Sequence, residues 1–475
     1  MDKRNGGRPP RGDRKPPNHK PQPIYRAPLV KPDARKVALN ALTEVVRGGA
    51  YGTLALSKHL TRAVHLSPED RRLAASIFHA ALENRLKLSY ILSQFVSNMP
   101  EGIVEDILHI AAAQILLMDK IPDHAAVDEA VKQVKTSGAL RMDGMVNGTL
   151  RNLIRAREAG TIAFPDKALF PIRHLSVAHS LPEAMVQRIV EDYGLEEGEK
   201  LIAYRPEGYS VTVRPNLLTD SDEGFEAYAK TREWRIQKGI VPHAYKVAGM
   251  TDLSVDSDFH EGKFSVISQP SMLAAMALRP KRGQTILDAC AAPGGKSALL
   301  CELMGGSGRV HAWELHEHRA ELIRAQKARL KLDNLRVAVR DARMHRDDLD
   351  NSFDGVLIDA PCSGLGVMLE KADIKYRMTP EDIDSLVKLQ AEILDACAGY
   401  VGVGGTLVYS TCTITKAENQ MQVEAFLARH PEFELDEDVS DYPEQIARRA
   451  VNGTVQLLPH IDGMEGFFIA RMRRK

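Results

Sequence analysis

From Lys281 onward the chain alternates short, strand-like apolar runs with helical segments, and no other feature of the sequence constrains the fold as much. The runs QTILDACA, RVHAWEL, LRVAVRDA, DGVLIDAP and GGTLVYSTC are interleaved with KSALLCELM, HEHRAELIRAQKARL and PEDIDSLVKLQAEILDACAGY, and KAENQMQVEAFLARH follows the last of them. Strands joined by helical crossovers pair in parallel, so the pattern predicts a parallel sheet with helices on both faces. In such sheets ligands gather outside the carboxyl ends of the strands, and residues there are the first candidates for function.

The remaining sequence divides by rhythm. A chain of 475 residues exceeds what one ordinary core fills, which suggests about three domains. Residues 34–165 carry apolar side chains at three-and-four spacing throughout, with Gly48-Gly49 as a stop signal and Ser67-Pro68-Glu69 as a start, and predict an all-α bundle. Nothing in the bundle is catalytic in pattern: no cysteine precedes Cys290. Residues 166–270 mix helical LPEAMVQRIVEDYG and DEGFEAYAKTREW with the alternating YSVTVRPNLL, which predicts a small α+β module. A further helix, SQPSMLAAMAL, leads into the last domain, 271–475.

Lysine plus arginine balance aspartate plus glutamate at 63 each, so net charge implies no partner, but its distribution does. Residues 1–33 are rich in proline and basic side chains and nearly free of apolar ones, so they cannot bury enough surface to fold. Such an arm suits phosphate backbones, or serves as a solubilising or targeting tail; its interspersed acids and prolines argue against a transit helix. Five cysteines without a secretory signal point to free thiols in the cytoplasm, and no apolar run approaches the roughly 20 residues that span a bilayer.

In DACAAPGGKSALL a strand runs into a turn and a helix starts at Lys296. Gly294 and Gly295 let the backbone approach a ligand while helix amides face its anionic group, so a nucleotide-type cofactor is expected. The spacing is neither that of dinucleotide folds nor that of phosphate-binding loops. Glu314, at the end of the second strand, lies where a carboxylate about 20 residues past a glycine turn accepts ribose hydroxyls. Asp341 and Asp359 end the third and fourth strands. This set fits a nucleoside carrying an amino-acid carboxylate, S-adenosylmethionine, better than NAD. The segment ELHEHR, with His316 and His318 tightly spaced at a helix start, reads as solvated helix rather than as a metal site; no metal is expected.

IDAPCSGLG and YSTCTITKAENQ place Cys362 and Cys412 at adjacent strand ends, and Pro361 forces Ala360 to be extended, aiming Asp359 and Cys362 at the cleft. Both thiols are expected to face one pocket, whereas Cys290, Cys301 and Cys397 read as core. Two thiols suit methylation at carbon 5 of cytosine. That carbon becomes nucleophilic after a thiolate adds at carbon 6, and an acid at the ring nitrogen stabilises the charge that develops. The carbon-5 proton must then leave so that the thiol is expelled, a step in which a second thiol can assist.

Two resemblances accompany these motifs. IPDHAAVDEAV with VNGTLRNL is similar to segments of the NusB antitermination fold, an RNA-binding helical bundle. DACAAPGGK, DAPCSGLG and YSTCT with Glu418-Asn419 resemble the signature blocks of the Sun (Fmu) family of RNA cytosine-5 methyltransferases, in its bacterial ribosomal RNA subgroup. The resemblance implies an N-terminal NusB-like domain and a Rossmann-like, S-adenosylmethionine-dependent methyltransferase domain acting on small-subunit (16S) ribosomal RNA, as a monomer. It implies Cys412 as nucleophile and Cys362 as an aid to release. Cys290, Ala291, Ala292, Pro293, Gly294, Gly295, Lys296, Glu314, Asp341 and Asp359 would hold the cofactor, with Asp359 also near the base. The chain departs from the subgroup at Leu369-Glu370 and Ala372, where a basic pair and a proline are usual, which implies loss of an RNA-facing charge. It departs also at Ile267 (usually glutamine) and at Glu465 and Glu314 (usually aspartate). Two other readings compete: a non-catalytic ribosome-assembly or antitermination factor, which the intact cysteines and glycine loop oppose, and a nicotinamide oxidoreductase, for which the glycine fingerprint is lacking.

Overall fold

The computed structural model describes residues 32–139, 141–206, 211–250 and 253–475. The basic arm expected at 1–33 lies, up to residue 31, outside them. Helices Ala34–Gly48, Gly52–Arg62, Pro68–Glu83, Arg85–Leu92, Ile103–Leu117, Asp123–Thr136 and Asp143–Ala159 form the bundle. Its ends follow local chemistry: the Asp33 and Ser67 side chains accept backbone N–H groups of Lys36 and Asp70, and Gly49 closes the first helix in a left-handed conformation. Helix Ile103–Leu117 is wrapped by the others, and its buried Asp106 is satisfied by Thr43 and Arg47. No helix among the described residues is long and apolar enough to cross a membrane.

The middle of the chain has two separate cores. Helices Pro171–His179, Glu183–Tyr193 and Leu195–Ala203 pack Leu175, Met185, Ile189 and Leu201 against Leu365, Met368, Ile383 and Ile414 of the C-terminal region. Strands β1 (Val211–Pro215), β2 (Arg235–Lys238), β3 (Tyr245–Ala248) and β4 (Phe264–Val266) make an antiparallel sheet in the order β2-β3-β1-β4. Phe225, Trp234, Tyr245 and Phe264 fill its core.

The C-terminal sheet comprises β5 (Thr285–Asp288), β6 (Arg309–Glu314), β7 (Leu335–Val339), β8 (Phe353–Asp359), β9 (Val401–Thr411), β10 (Phe433–Leu435), β11 (Thr454–Leu457) and β12 (Phe467–Arg474). The order is β10-β12-β9-β8-β5-β6-β7, with β11 also paired to β12. The five strands read from the sequence are parallel, as expected. The sheet as a whole is mixed, because β12 runs antiparallel to β9 and its other edge is covered by β10 and β11. Phe467–Met472 of β12 is buried on both faces, so no polar alternation advertises it as a strand. Strand order reverses at β5: β6 and β7 build outward on one side, β8 and β9 on the other. This switch point opens a crevice at the carboxyl ends of β5 and β8.

Candidate active site

The turn after β5 forms one wall of the crevice. Ala291 N–H donates to Trp313 O (2.8 Å) and Gly294 N–H to Ala291 O (2.8 Å), folding the chain back before the helix Gly295–Leu303. Gly294 has φ 106°, and a Cβ there would sit 3.2 Å from Ile323 Cα, so glycine is required on both counts. Cys290, Ala291, Ala292, Pro293, Gly295 and Lys296 line an open cleft, together with Ile267, Ser271, Gln326 and Asp359. Ile267 lies over the turn, 3.3 Å from where a Gly295 Cβ would be, so this departure puts an apolar side chain into the cleft wall.

Glu314 ends β6 almost wholly buried; its Oε1 accepts from His316 N–H (3.1 Å) and Arg319 Nη1 (3.3 Å). Arg319 also donates to Ala292 O (3.3 Å), tying the second strand end to the glycine turn. Asp341, past β7, is gripped by the backbone and guanidinium of Arg343, whose hydrogen bonds hold the carboxyl below its ordinary range. Glu314 and Asp341 flank the cleft from outside its wall.

Asp359, at the end of β8, lines the cleft, whereas neither Cys362, three positions on, nor Cys412 is among its lining residues. Its Oδ2 accepts from Lys296 Nζ (2.7 Å) and its Oδ1 from Ser410 Oγ (2.9 Å). Lys296 also donates to Ser271 Oγ (3.2 Å). Burial opposes the ammonium charge, but Asp359 more than offsets it and holds Lys296 above its ordinary value. This pairing across 63 positions was not legible in the sequence, which suggested Lys296 only as part of the cofactor turn.

The sulfurs of Cys362 and Cys412 lie 3.4 Å apart. The contact with Cys362 holds the Cys412 thiol below its ordinary value, and the same contact, with burial, pushes Cys362 well above it. Cys412 is therefore the more easily ionised of the two and Cys362 the proton holder. Burial pushes Cys301 and Cys397 up, Cys397 to about 12, as suits inert core thiols, whereas Cys290, read as core from the sequence, is raised too but stands half-buried in the cleft wall because the turn after β5 brings it there.

Two devices hold this geometry. Gly366 N–H donates to Cys412 O (3.1 Å) and Gly466 N–H to Gly366 O (2.9 Å), and any side chain on Gly366 would overlap the Gly466 carbonyl. Glu418, fully buried, accepts from Ser363 N–H (2.8 Å), Ser363 Oγ (2.6 Å), Thr415 Oγ1 (2.7 Å) and Gln390 Nε2 (3.1 Å). Asn419 beside it accepts from Thr411 Oγ1 (2.5 Å) and donates to Thr413 O (3.1 Å). The Glu418-Asn419 pair thus clamps the residues that follow each cysteine strand, a function whose only sequence signal was its position after YSTCT.

Two departures gain a physical reason or consequence. Ala372 is buried in the core of the helical bundle, so a small apolar residue is required there. Desolvation by surrounding protein, and then the neighbouring Glu465, push Glu370 up to about 7.

Residues 275–473 match the family described as 16S rRNA methyltransferase RsmB/F, and residues 32–155 match the NusB family. The chain is 37% identical over 454 residues to the probable ribosomal RNA small subunit methyltransferase B of Bacillus subtilis (strain 168), covering 94% of this chain and 100% of that protein. It is 30% identical over 447 residues to the ribosomal RNA small subunit methyltransferase B of Vibrio vulnificus (strain YJ016), covering 92% and 98%. The crystal structure of PH0851 shares the fold, with a TM-score of 0.78 at 23% identity, over 93% of this chain and 98% of that one.

Proposed function

The chain belongs to the RsmB/Sun family of 16S rRNA methyltransferases with an N-terminal NusB domain, and on that premise we propose that it methylates carbon 5 of a cytosine through a covalent bond between Cys412 and carbon 6. The observation that carries this reading is the pair of sulfurs 3.4 Å apart, with the ionisable member, Cys412, beside the Lys296–Asp359 pair that borders the glycine cleft.

The cleft fits S-adenosylmethionine. The glycine turn exposes backbone without side chains, and Ile267 and Pro293 offer apolar surface to an adenine or a thioether. When bound, this cofactor supplies an electrophilic sulfonium methyl group. The protein's own residues do the rest. Cys412, as thiolate, adds to carbon 6 and so raises electron density at carbon 5. Because Asp359 is engaged by Lys296 and Ser410, the ammonium proton of Lys296 is the one available to stabilise negative charge on the ring during addition. A water in the open cleft takes the carbon-5 proton as base, the C5–H electron pair re-forms the C5=C6 bond, and the C6–S bond breaks in the same elimination, expelling the Cys412 sulfur as thiolate, to which the neighbouring Cys362 S–H can hydrogen-bond. The bundle and the small sheet would contribute RNA contacts, and the enzyme would act as a cytoplasmic monomer.

Incubation of the full chain with a 16S rRNA transcript and labelled methyl donor tests this. Cys412→Ala is expected to abolish transfer while donor affinity by titration calorimetry stays the same; retained turnover would end the proposal. Cys362→Ala is expected to accumulate a protein–RNA adduct visible on denaturing gels, because addition survives while release is slowed. Absence of a shifted band would contradict that division of roles.

A further inference from the structure

Three parts of the molecule meet where the segment after Cys362 enters the bundle. Tyr376 Oη and Ser180 Oγ are 2.8 Å apart, and Ser180 Oγ accepts the N–H groups of Leu86 (2.9 Å) and Lys87 (3.2 Å). Lys375, only 5% exposed, donates to Glu83 O (3.0 Å). Around this knot stand Arg85, Lys87, Arg205 and Lys375, and among the described residues none of the four is ion-paired to a carboxylate. Elsewhere the chain pairs its buried cations: Arg214 is paired with Glu302, and Arg471 with Asp436 at 2.9 Å. The Nε of Arg85 is buried without any partner.

The electrostatics agrees that the positive charge here is uncompensated. Burial and then Arg205 lower Lys375 to about 8, and burial with Arg205 and Lys87 lowers His179 to about 4, leaving it neutral. Lys87 and Arg205 are likewise lowered, by burial first; Arg205 adds repulsion at Lys87, while Glu83 partly supports Arg205. With the whole chain at zero net charge, this concentration is not a by-product of a basic composition. Beside it Phe164 is 39% exposed, its ring 5.9 Å from Lys87 Nζ and 6.5 Å from the Tyr90 ring. Unpaired cations next to an exposed aromatic face are what a single-stranded nucleic acid uses, phosphates on the cations and a base on the ring.

We propose that this junction, built on Arg85, Lys87, Arg205 and Lys375, is a docking site for the phosphate backbone of the substrate RNA. The proposal rests on the RNA-methylating reading above and deepens it. The segment Ala372–Tyr376 follows the turn at 364–367, one of whose residues, Gly366, is bonded to Cys412, after a connection of four residues, so a strand held at the junction is tied through that short connection to the nucleophile. The bundle, the helices at 171–203 and the cysteine loop would then grip one RNA segment together.

The test is RNA binding by full-length protein, measured by fluorescence anisotropy with a labelled 16S rRNA fragment transcribed in vitro, across about 50 to 200 mM KCl. Lys87 is half-buried and Arg205 exposed, and among the described residues neither is ion-paired, so the double variant Lys87→Glu/Arg205→Glu is expected to fold, with unchanged S-adenosylmethionine affinity as the control. It is expected to lose at least about tenfold in RNA affinity, and to flatten the slope of log K against log salt by about 1.4, from loss of two phosphate contacts on a single strand. Affinity and slope equal to wild type would overturn the proposal, as would lost affinity with an unchanged slope, since phosphate contacts would then not be the cause. Binding is read without turnover, so failure of the Cys412 chemistry leaves this result legible. A wild-type chain that does not bind the rRNA at all would overturn both readings.

Discussion

The row of strand ends has two halves that differ in what their polar groups are bonded to. At β8 and β9, Asp359, Ser410, Cys362, Cys412 and Glu418 bond mainly to one another and to neighbouring protein, forming a closed network. At β5, β6 and β7 the glycine turn opens onto the cleft and Asp341 holds only a partly exposed arginine. The contrast separates two tasks. Reactive groups must be held in advance so that no reorganisation accompanies the reaction, whereas a site for a dissociable cofactor must leave donors and acceptors unspent.

Asp359→Asn is the severest test of this division. Loss of the Lys296 pair is expected to reduce turnover by about a hundredfold or more, with donor affinity changed by less than about threefold. A collapse of donor affinity instead would move Asp359 into the cofactor half. Glu418→Ala strands buried donors on Ser363, Thr415 and Gln390 and is expected to lower unfolding free energy by about 3 to 5 kcal/mol in urea denaturation. Unchanged stability would show that the network is slack.

On the open half, Gly294→Ala meets both strain and Ile323, and is expected to weaken S-adenosylmethionine binding by about tenfold with turnover at saturation preserved. A kinetic test of comparable size concerns pH. Adduct formation needs the Cys412 thiolate, so its rate rises with pH through the Cys412 titration, which the contact with Cys362 holds below the ordinary thiol value. In Cys362→Ala that midpoint is expected to move upward; a midpoint that stays or falls would show that Cys362 does not set the ionisation. Smallest is Asp341→Ala, half-buried and, among the described residues, held only by Arg343, expected to change stability by no more than about 0.5 kcal/mol and donor affinity severalfold.

What could be read in advance followed the same division. The glycine turn was legible because close backbone approach needs glycine at adjacent positions, Gly294 and Gly295, and both cysteines stood in short strand-end motifs. The closed network was not: Lys296 and Asp359, or Ser363 and Glu418, are separated by long stretches whose folding brings them together. The mixed character of the sheet was missed because β12, buried on both faces, carries no alternation, and its neighbours β10 and β11 are short.

The sequence by itself determined the alternation of parallel strands with helices, the helical bundle before it, and the strand ends where chemistry would lie, because periodicity and turn chemistry act over a few residues. Only the tertiary structure decided that two sulfurs touch, that Lys296 serves Asp359, and that the segment after Cys362 plugs into the bundle with Ala372 at its core. Those are contacts between residues far apart in the chain, and distance, burial and desolvation, which set their protonation and reactivity, exist only once the chain has packed.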